Sequence, residues 1–294
     1  MKNYRLLPMA LIAALIVSLA SVASAAPIVV FQDDFESYTD GNRLDTSGPW
    51  DTVQYGSPTG DYSWDRQLSV RSANTVYPGD GSKTTPMSPF STGSQLLEYW
   101  DEQPSGRQLN ANGSFAVPEE GRYPLTLSLD YRLDEDWTDF TGEWRLTVDD
   151  TDGGAANGYH IALLRGNDPD ALALGYTDTS NTFQPVLTLD RGIWYHLEFA
   201  FDTPTNSADQ PATVSIWKQG DEDTPPTFVG DFGIAGRQPF EELNHLSIGD
   251  VGPAPHGHWY LDNVNITATP EPGTMLMIAS GLVGVWGVSR RRRI

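Results

Sequence analysis

The chain has 294 residues, with 39 Asp and Glu against 18 Lys and Arg, and a formal net charge of −21. A chain this acidic repels nucleic acids and anionic lipids, which excludes nucleic-acid binding and leaves calcium, basic partners and neutral sugars. An alternative explanation of the negative charge is that it keeps the protein soluble outside the cell. The sequence contains no cysteine, which excludes thiol catalysis and cysteine-based zinc sites.

Residues 1–25 have the pattern of a secretory signal peptide. Lys2 and Arg5 give a positive start, an apolar run follows, and Ala23-Ser24-Ala25 is a small-residue cleavage site. The alternative is a first transmembrane helix, but the run is short and ends in small residues. We therefore expect export and exclude this segment from the fold.

Residues 55–93 are rich in Gly, Ser, Thr and Pro and contain only short apolar clusters. This composition predicts long loops with one or two short strands. In β-sandwich proteins that bind a ligand, long loops at one end of the sandwich commonly form the binding site.

From residue 125 onward, apolar and polar residues alternate in segment after segment. YPLTLSLDYRL and WYHLEFAF place apolar side chains at every second position, which is the period of a half-buried strand. Further candidates are EWRLTVD, GYHIALLR, ATVSIWK, LNHLSIG and HWYLDNVNIT. Many strands with no interleaved helices predict an all-β, antiparallel sandwich or barrel, which we assign as one domain over residues 26–268.

The two ends of this domain carry a family resemblance. DDFESY at residues 33–38 and WYLDNVNI at residues 259–266, together with GIWYHLEFAFD, resemble the concanavalin A-like, laminin G-like jelly roll of secreted bacterial proteins. The resemblance implies an antiparallel jelly-roll β-sandwich.

First and last strands of a jelly roll often lie side by side. Such pairing would bring Glu36 and Asp262 together, with Asp34 on the same strand face as Glu36. Calcium binds hard carboxylate and carbonyl oxygens, and related carbohydrate-binding jelly rolls often hold a structural calcium at such a junction. The resemblance thus implies a calcium site formed by Asp34, Glu36 and Asp262, and the alternative is solvated charges at a strand edge.

Aromatic rings outside the strands are candidate glycan contacts, because flat rings stack on sugar faces. Trp50, Trp64 and Trp137 stand among turn residues and are assigned this role, whereas tryptophans on strands are interpreted as core.

Catalytic signals are weak. LDEDW places Asp134 and Asp136 on one strand face, and glycan cleavage needs two such carboxylates. The segment departs from the Glu-x-Asp-x-Glu pattern of laminarinase-type glycosidases, since neither outer position is Glu. His256-Gly257-His258 offers two imidazoles but no clearly spaced third ligand. We therefore assign no catalytic residue.

The C-terminal residues 269–294 consist of Pro270-Glu271-Pro272, an apolar run over residues 274–289, and four arginines at 290–293. As a helix this run would span about 24 Å, slightly less than the roughly 30 Å hydrocarbon core. The pattern predicts a single transmembrane helix with the arginine cluster in the cytoplasm.

Pro-Glu-Pro, a short apolar helix and an arginine cluster, in this order, resemble the PEP-CTERM sorting signal. The resemblance implies recognition of Pro270, Glu271 and Pro272 by an exosortase, a membrane-embedded cysteine transpeptidase of exopolysaccharide-producing Gram-negative bacteria. A permanent membrane anchor is the alternative.

Together, the sequence predicts an exported, non-enzymatic protein of the cell surface or extracellular matrix that associates with an exopolysaccharide or surface glycan. The alternatives are a secreted polysaccharide hydrolase or lyase on the same fold and a purely structural biofilm-matrix protein. No cofactor besides calcium is expected.

Overall fold

The computed structural model describes residues 26–54, 67–72, 84–101, 110–117, 123–135, 141–150, 158–165, 173–178, 182–202, 212–221, 226, 228–232 and 243–269. The strands in these ranges are β1 Ile28–Asp33, β2 Thr52–Gln54, β3 Gln67–Ser72, β4 Gln95–Asp101, β5 Asn110–Ser114, β6 Leu125–Leu133, β7 Thr141–Asp149, β8 Gly158–Arg165, β9 Ala173–Thr177, β10 Phe183–Thr188, β11 Trp194–Phe201, β12 Ala212–Lys218, β13 Phe228–Phe232 and β14 His245–Ala268.

The strands form two antiparallel sheets that share β14. Sheet A has the order β3-β4-β14-β6-β11-β12-β13, and sheet B has the order β2-β5-β14-β7-β8-β9-β10. His245–Gly249 of β14 pair with β5 and β7, whereas Gly257–Leu261 pair with β4. The described residues contain strands and turns but no helix, which confirms the prediction of an all-β antiparallel sandwich. Val29–Thr267 form one compact unit.

The core lies between the two sheets and is rich in aromatic rings. Tyr131 of β6 stacks on Trp144 of β7 at a centroid distance of 5.4 Å, and Tyr159 of β8 packs against Phe201 of β11 at 4.4 Å. Each pair joins one sheet to the other. All four side chains are buried, so these contacts hold the sheets face to face.

The alternation predicted for β6 and β11 is confirmed at its apolar positions. The inward side chains of both strands are buried: Leu125, Leu127, Leu129, Tyr131, Leu133, Tyr195, Leu197, Phe199 and Phe201. Asp130 departs from the pattern, because it lies at an outward position of β6 and is nevertheless 0% exposed. The outer face of sheet A is therefore covered at this point.

Candidate functional site on the outer face of sheet A

The outer face of sheet A carries buried charged side chains. Trp259 pairs with Tyr99 across β14 and β4, and their rings stack in the core at 4.4 Å. The next pair, Tyr260 and Glu98, points to the opposite face because side chains alternate along a strand. The buried charged residues on or beside that face include Arg71, Glu98, Asp130, Asp134, His258 and Asp262. Burying charge is costly unless partners compensate it, so the partners decide what this face can do.

Four of the charged side chains form a chain of alternating sign, which we call the ionic network (Arg71, Glu98, His258 and Asp134). Arg71 Nε donates to Glu98 Oε2 at 2.8 Å, and Glu98 Oε1 lies 2.8 Å from His258 Nε2. His258 Nδ1 lies 3.2 Å from Asp134 Oδ2. The same Asp134 oxygen accepts a hydrogen bond from Tyr260 Oη at 3.1 Å. Both nitrogens of one imidazole thus face carboxylates.

The network fixes the protonation of its members. Burial alone would lower the pKa of His258, but its hydrogen bonds and charge pairing with Asp134 and Glu98 raise the pKa above the usual value. Burial would raise the pKa of Glu98, but His258 and then Arg71 lower it overall. These directions favour an imidazolium at His258 and a carboxylate at Glu98, which match the alternating charges of the network.

The network is poorly arranged for proton transfer. An imidazolium with both N–H groups directed at carboxylates has no lone pair with which to act as a base. A general acid needs a pKa near the working pH, and the pKa of Glu98 is lowered. The arrangement suits a fixed, charge-balanced support on the sheet better than a catalytic centre.

A second group of carboxylates lies where β1, β14 and β6 meet, and we call it the acid cluster (Glu36, Asp130 and Asp262). Asp130 accepts hydrogen bonds from Ser88 Oγ and Asn263 Nδ2, both at 2.8 Å, and lies 2.7 Å from His196 Nδ1. Burial, then the neighbouring charge of Asp130, and further the charge of Glu36, raise the pKa of Asp262 to about 8. Without a cation, Asp262 is therefore mostly protonated at neutral pH.

Backbone strain accompanies the acid cluster. Phe35 has a φ of 61° and Asn263 a φ of 51°, in the left-handed region that bulky residues avoid. Phe35 directly precedes Glu36, and Asn263 directly follows Asp262. For a bulky residue such as Phe35, this strain costs about 1–3 kcal/mol and tends to persist at functional positions, whereas Asn adopts the same region more readily. Strain and repelling charge therefore coincide at one place in the fold.

A segment crosses the outer face of sheet A and is tied to the acid cluster; we call Ser88–Ser94 the strap. Besides the bond from Ser88 to Asp130, Ser91 hydrogen-bonds the Asp262 carboxyl. Ser94 donates to Glu36 through its backbone N and, at 3.0 Å, through its Oγ. Phe90, in the middle of the strap, packs on a small apolar cluster of Leu96, Trp194 and Tyr260. The strap explains why this outer face is buried.

The predicted calcium ligands lie in different surroundings. β1 pairs with β14, so the expected contact between first and last strands is confirmed, and Glu36 and Asp262 lie close enough to repel. Asp34 is exposed, and its Oδ1 accepts a hydrogen bond from the backbone N of Glu36 at 3.2 Å. Sequence reasoning missed Asp130, because a lone outward Asp on β6 resembles any surface charge.

Within the described ranges, no group of three His, Asp or Glu side chains is arranged to hold a metal ion. The donor chemistry of the acid cluster nevertheless suits calcium, because carboxylates are hard oxygen ligands. Calcium therefore stays a prediction.

Trp50 is not a glycan contact. Its ring is 1% exposed and packs edge-on against Phe31 at 5.1 Å, while its Nε1 donates to Asp33 Oδ2 at 2.6 Å. Asp33 also accepts bonds from Phe35 N and Tyr38 Oη, both at 2.9 Å. A side chain with no exposed face cannot stack on a sugar, which corrects the prediction. This part of the DDFESY segment instead anchors Trp50 in the core.

Several predicted residues lie outside the described ranges. They are Trp64, Asp136, Trp137, the signal peptide 1–25, Pro270, Glu271, Pro272, and the tail segments 274–289 and 290–293. Asp134 belongs to the ionic network, as does His258, the second histidine of the His-Gly-His segment. No helix in the described part of the chain is long and apolar enough to span a membrane.

The C-terminal segment decides the kind of protein. Residues 268–293 match the family model of the PEP-CTERM protein-sorting motif. This chain carries a PEP-CTERM sorting motif. The match confirms the sorting motif predicted for the tail, and such a motif implies export and processing by an exosortase.

Other comparisons concern the body of the chain. A search of curated proteins finds no relative. Among solved structures, a GH131 β-glucanase catalytic domain from Podospora anserina has a TM-score of 0.48 and 12% identity, covering 83% of this chain and 97% of that chain. The CBM2 module of the evolved Dit of Lactobacillus casei BL23 phage J-1 has a TM-score of 0.46 and 10% identity, covering 84% and 98%.

The alginate lyase vAL-1 from Chlorella virus has a TM-score of 0.39 and 10% identity, covering 68% of this chain and 93% of that chain. Similarity at this level transfers neither a ligand nor an activity to this chain.

Replacing His258 tests the ionic network. His258→Phe leaves the buried carboxylates of Glu98 and Asp134 without their shared cation, so we expect a loss of about 3–5 kcal/mol in the free energy of unfolding. Because the pKa of His258 is raised in the folded state, its stabilisation is complete below the unfolded pKa and is lost as pH rises through the folded pKa. Urea unfolding should therefore show a larger deficit at pH 6 than at pH 9.

The matched control is Glu198→Gln, at a half-buried position on the same face of sheet A. It should change stability little at either pH. Equal deficits for His258→Phe at both pH values would contradict the charge assignment.

Asp262 should give the protein an unusual pH dependence. Its pKa is raised to about 8 in the folded state, against about 4 in an unfolded chain. The native state keeps a proton that the unfolded chain loses, so stability should fall as pH rises between these two values. With a chelator present, the Asp262→Asn variant should be as stable as the wild type near pH 4. It should be more stable than the wild type near pH 8. Thermal unfolding over this range measures both, and a parallel pH profile for the two proteins would rule out the raised pKa.

Proposed function

We propose that this is an exported, non-enzymatic protein of the cell surface or extracellular matrix whose β-sandwich associates with a glycan. The observation that carries the proposal is the sorting motif at residues 268–293, attached to an acidic all-β body. In a Gram-negative host, the predicted transmembrane helix over residues 274–289 would hold the precursor in the inner membrane with its C-terminus in the cytoplasm. Exosortase processing then passes the body to the surface or matrix.

The absence of catalysis in this proposal is supported by the ionic network. Every polar atom that a reaction would use there is already engaged: both nitrogens of His258 and both carboxylate oxygens of Glu98. A polysaccharide hydrolase or lyase remains the alternative, and one observation favours it. Glu98 and Asp134 flank a single imidazole on the outer face, and paired carboxylates are the groups that glycan cleavage uses.

The glycan is a neutral one, because the net charge of −21 opposes an acidic polysaccharide. Trp64 and Trp137 are the proposed stacking residues. In the sequence, Trp64 stands three positions before Gln67, and Trp137 three positions after Asp134. Within sheet A, Gln67 and Asp134 lie at the same height as His258. The backbone N of Asp134 donates a hydrogen bond to the carbonyl oxygen of His258, and Trp100 of β4 pairs with His258 on one side and with Gln67 on the other. The proposal for the two tryptophans depends on the turn residues that surround them in the sequence.

Glycan binding is tested with the exported protein on a panel of neutral polysaccharides. Trp64→Ala and Trp137→Ala should each weaken binding about three- to tenfold, the loss expected for one stacked ring. Thr213→Ala, at an exposed position of β12, is the control and should bind as the wild type does. Undiminished binding by both tryptophan variants would refute the contacts.

The panel also separates the alternatives. Loss of polysaccharide chain length, abolished by Glu98→Gln, would establish the enzyme. Neither binding nor turnover on any polysaccharide would favour a purely structural matrix protein.

We also propose that calcium binds at the acid cluster through Glu36 and Asp262, with Asp34 as the third predicted ligand. A divalent cation there would offset the burial and the repulsion that otherwise hold a proton on Asp262. If so, calcium at about one hundred times its dissociation constant should stabilise the fold by about 2.7 kcal/mol, which raises the melting temperature by roughly 5–10 °C. Asp262→Ala should abolish the shift.

The Asp34→Asn variant distinguishes a calcium site formed by Glu36, Asp262 and Asp34 from a site formed by Glu36 and Asp262 without Asp34. A preserved shift in this variant would place Asp34 in the turn only, as its bond to the Glu36 backbone suggests. No calcium-dependent shift in the wild type would end the calcium proposal.

A further inference from the structure

Beside the strap, one area of the outer face of sheet A is partly open to solvent. The neighbouring strands β6, β11 and β12 carry its side chains, all of which are half-buried. We call this area the platform, and its members are Ser128, His196, Glu198, Ser215 and Trp217. Because neighbouring strands lie about 4.8 Å apart and alternate residues of one strand about 7 Å apart, the platform measures roughly 10 Å by 7 Å.

The register of sheet A arranges the platform in two rows. In the first row, His196 of β11 lies opposite Trp217 of β12, and the centroids of their rings are 5.4 Å apart. In the second row, Glu198 lies opposite Ser128 of β6 on one side and Ser215 of β12 on the other. Regular strands of one hydrogen-bonded ladder carry all five side chains, so their spacing does not depend on a loop.

The imidazole of His196 is held in one orientation. Its Nδ1 lies 2.7 Å from Oδ1 of Asp130, whose other carboxylate oxygen accepts hydrogen bonds from Ser88 and Asn263. The ring of Phe90, from the strap, lies 5.7 Å from the imidazole. Because the buried carboxylate accepts the proton on Nδ1, it leaves Nε2 for a partner outside the sheet. The His196 side chain is 25% exposed, so such a partner can reach it.

The polar groups of the platform differ from those of the ionic network and the acid cluster, which bond to one another. In the part of the chain that the structure describes, no hydrogen bond or ion pair engages Nε2 of His196 or the carboxylate of Glu198. The same holds, among those residues, for the hydroxyl groups of Ser128 and Ser215. Polar groups that are half-buried and have no protein partner bind water or a ligand.

Trp217 departs from the prediction that tryptophans on strands belong to the core. Trp144, Trp194 and Trp259 follow that prediction, since all three are buried. Trp217 lies at an outward position of β12 and is only half-buried. One part of its indole therefore packs against His196, while another part reaches solvent.

A sugar residue matches this set of groups. The C–H face of a sugar ring stacks on a flat indole such as that of Trp217. Sugar hydroxyl groups donate hydrogen bonds to a carboxylate or to an imidazole nitrogen, and accept them from serine hydroxyl groups. The negative charge of Glu198 and the net charge of −21 oppose an acidic sugar, which leaves a neutral one.

We propose that the platform binds a sugar residue of a neutral polysaccharide, with Trp217 stacked on the sugar ring and with Glu198 and His196 hydrogen-bonded to its hydroxyl groups. The proposal rests on the glycan association proposed above, for which it names a site within the sheet. Asp130 is a positioning residue in this site, because it contacts His196 and not the sugar.

The test measures dissociation constants of the exported protein for dextran, laminarin and galactomannan, three neutral members of the polysaccharide panel, by isothermal titration calorimetry. Trp217→Ala should weaken binding about three- to tenfold, the loss expected for one stacked ring. Glu198→Ala should weaken it at least about threefold, because it removes a charged hydrogen-bond acceptor. Thr213→Ala, at an exposed position on the same face of β12, is the matched control and should bind as the wild type does. If Trp217→Ala fails to fold, Glu198→Ala decides.

Glu198→Gln separates a sugar from a cationic ligand. Glutamine keeps an acceptor oxygen and removes the charge, so the affinity for polysaccharide should fall between those of the wild type and Glu198→Ala. A cationic ligand would instead lose the charge that attracts it. Oligolysine binding that Glu198→Gln abolishes, together with unchanged polysaccharide binding, would assign the platform to a basic peptide and overturn the proposal.

The failure of this site and the failure of the proposed function give different results. If the wild type binds one of the polysaccharides and both Trp217→Ala and Glu198→Ala bind it equally tightly, the site is refuted and the glycan association stands. If the wild type binds no polysaccharide of the panel, the glycan association is refuted and the site with it.

Discussion

The alternation of side chains along β14 is the constraint on which the rest of this structure depends. The strand is shared by both sheets, pairing with β5 and β7 in its first part and with β4 in its second. In the second part, Trp259 enters the aromatic core while His258 joins the ionic network. A slip of one residue would exchange these two faces, placing an imidazole in the core and an indole among carboxylates. The register therefore fixes the core and the outer face together.

The two charged groups on that outer face differ in how they are compensated. The ionic network pairs each carboxylate with a cation, and such buried pairs contribute little net stability while being costly to break. The acid cluster brings three carboxylates together, and one of them, Asp262, keeps its proton at neutral pH. The network is therefore a fixed part of the sheet, whereas the acid cluster responds to protons and, in our proposal, to calcium.

Much of the fold follows from local pattern, and less of the site does. The strand Leu125–Leu133 could be predicted because burial of one face imposes a period of two on the sequence. The approach of Glu36 to Asp262 could be predicted because it needs only the pairing of the first and last strands. The partnership of Glu98 with His258 could not, since it depends on the register between strands far apart in the sequence. Trp50 was misassigned for a related reason: turn residues surround it in the sequence, but Asp33 holds it in the core.

The central claim is that the acidic sandwich is made as a precursor, trimmed at both ends and delivered outside the cell. Intact-mass spectrometry of the protein recovered from the cell surface or matrix tests this claim most directly. The account predicts a chain that begins after Ala25 and lacks the arginines at positions 290–293. A surface protein whose mass still includes those arginines would contradict it and establish the tail as a permanent anchor.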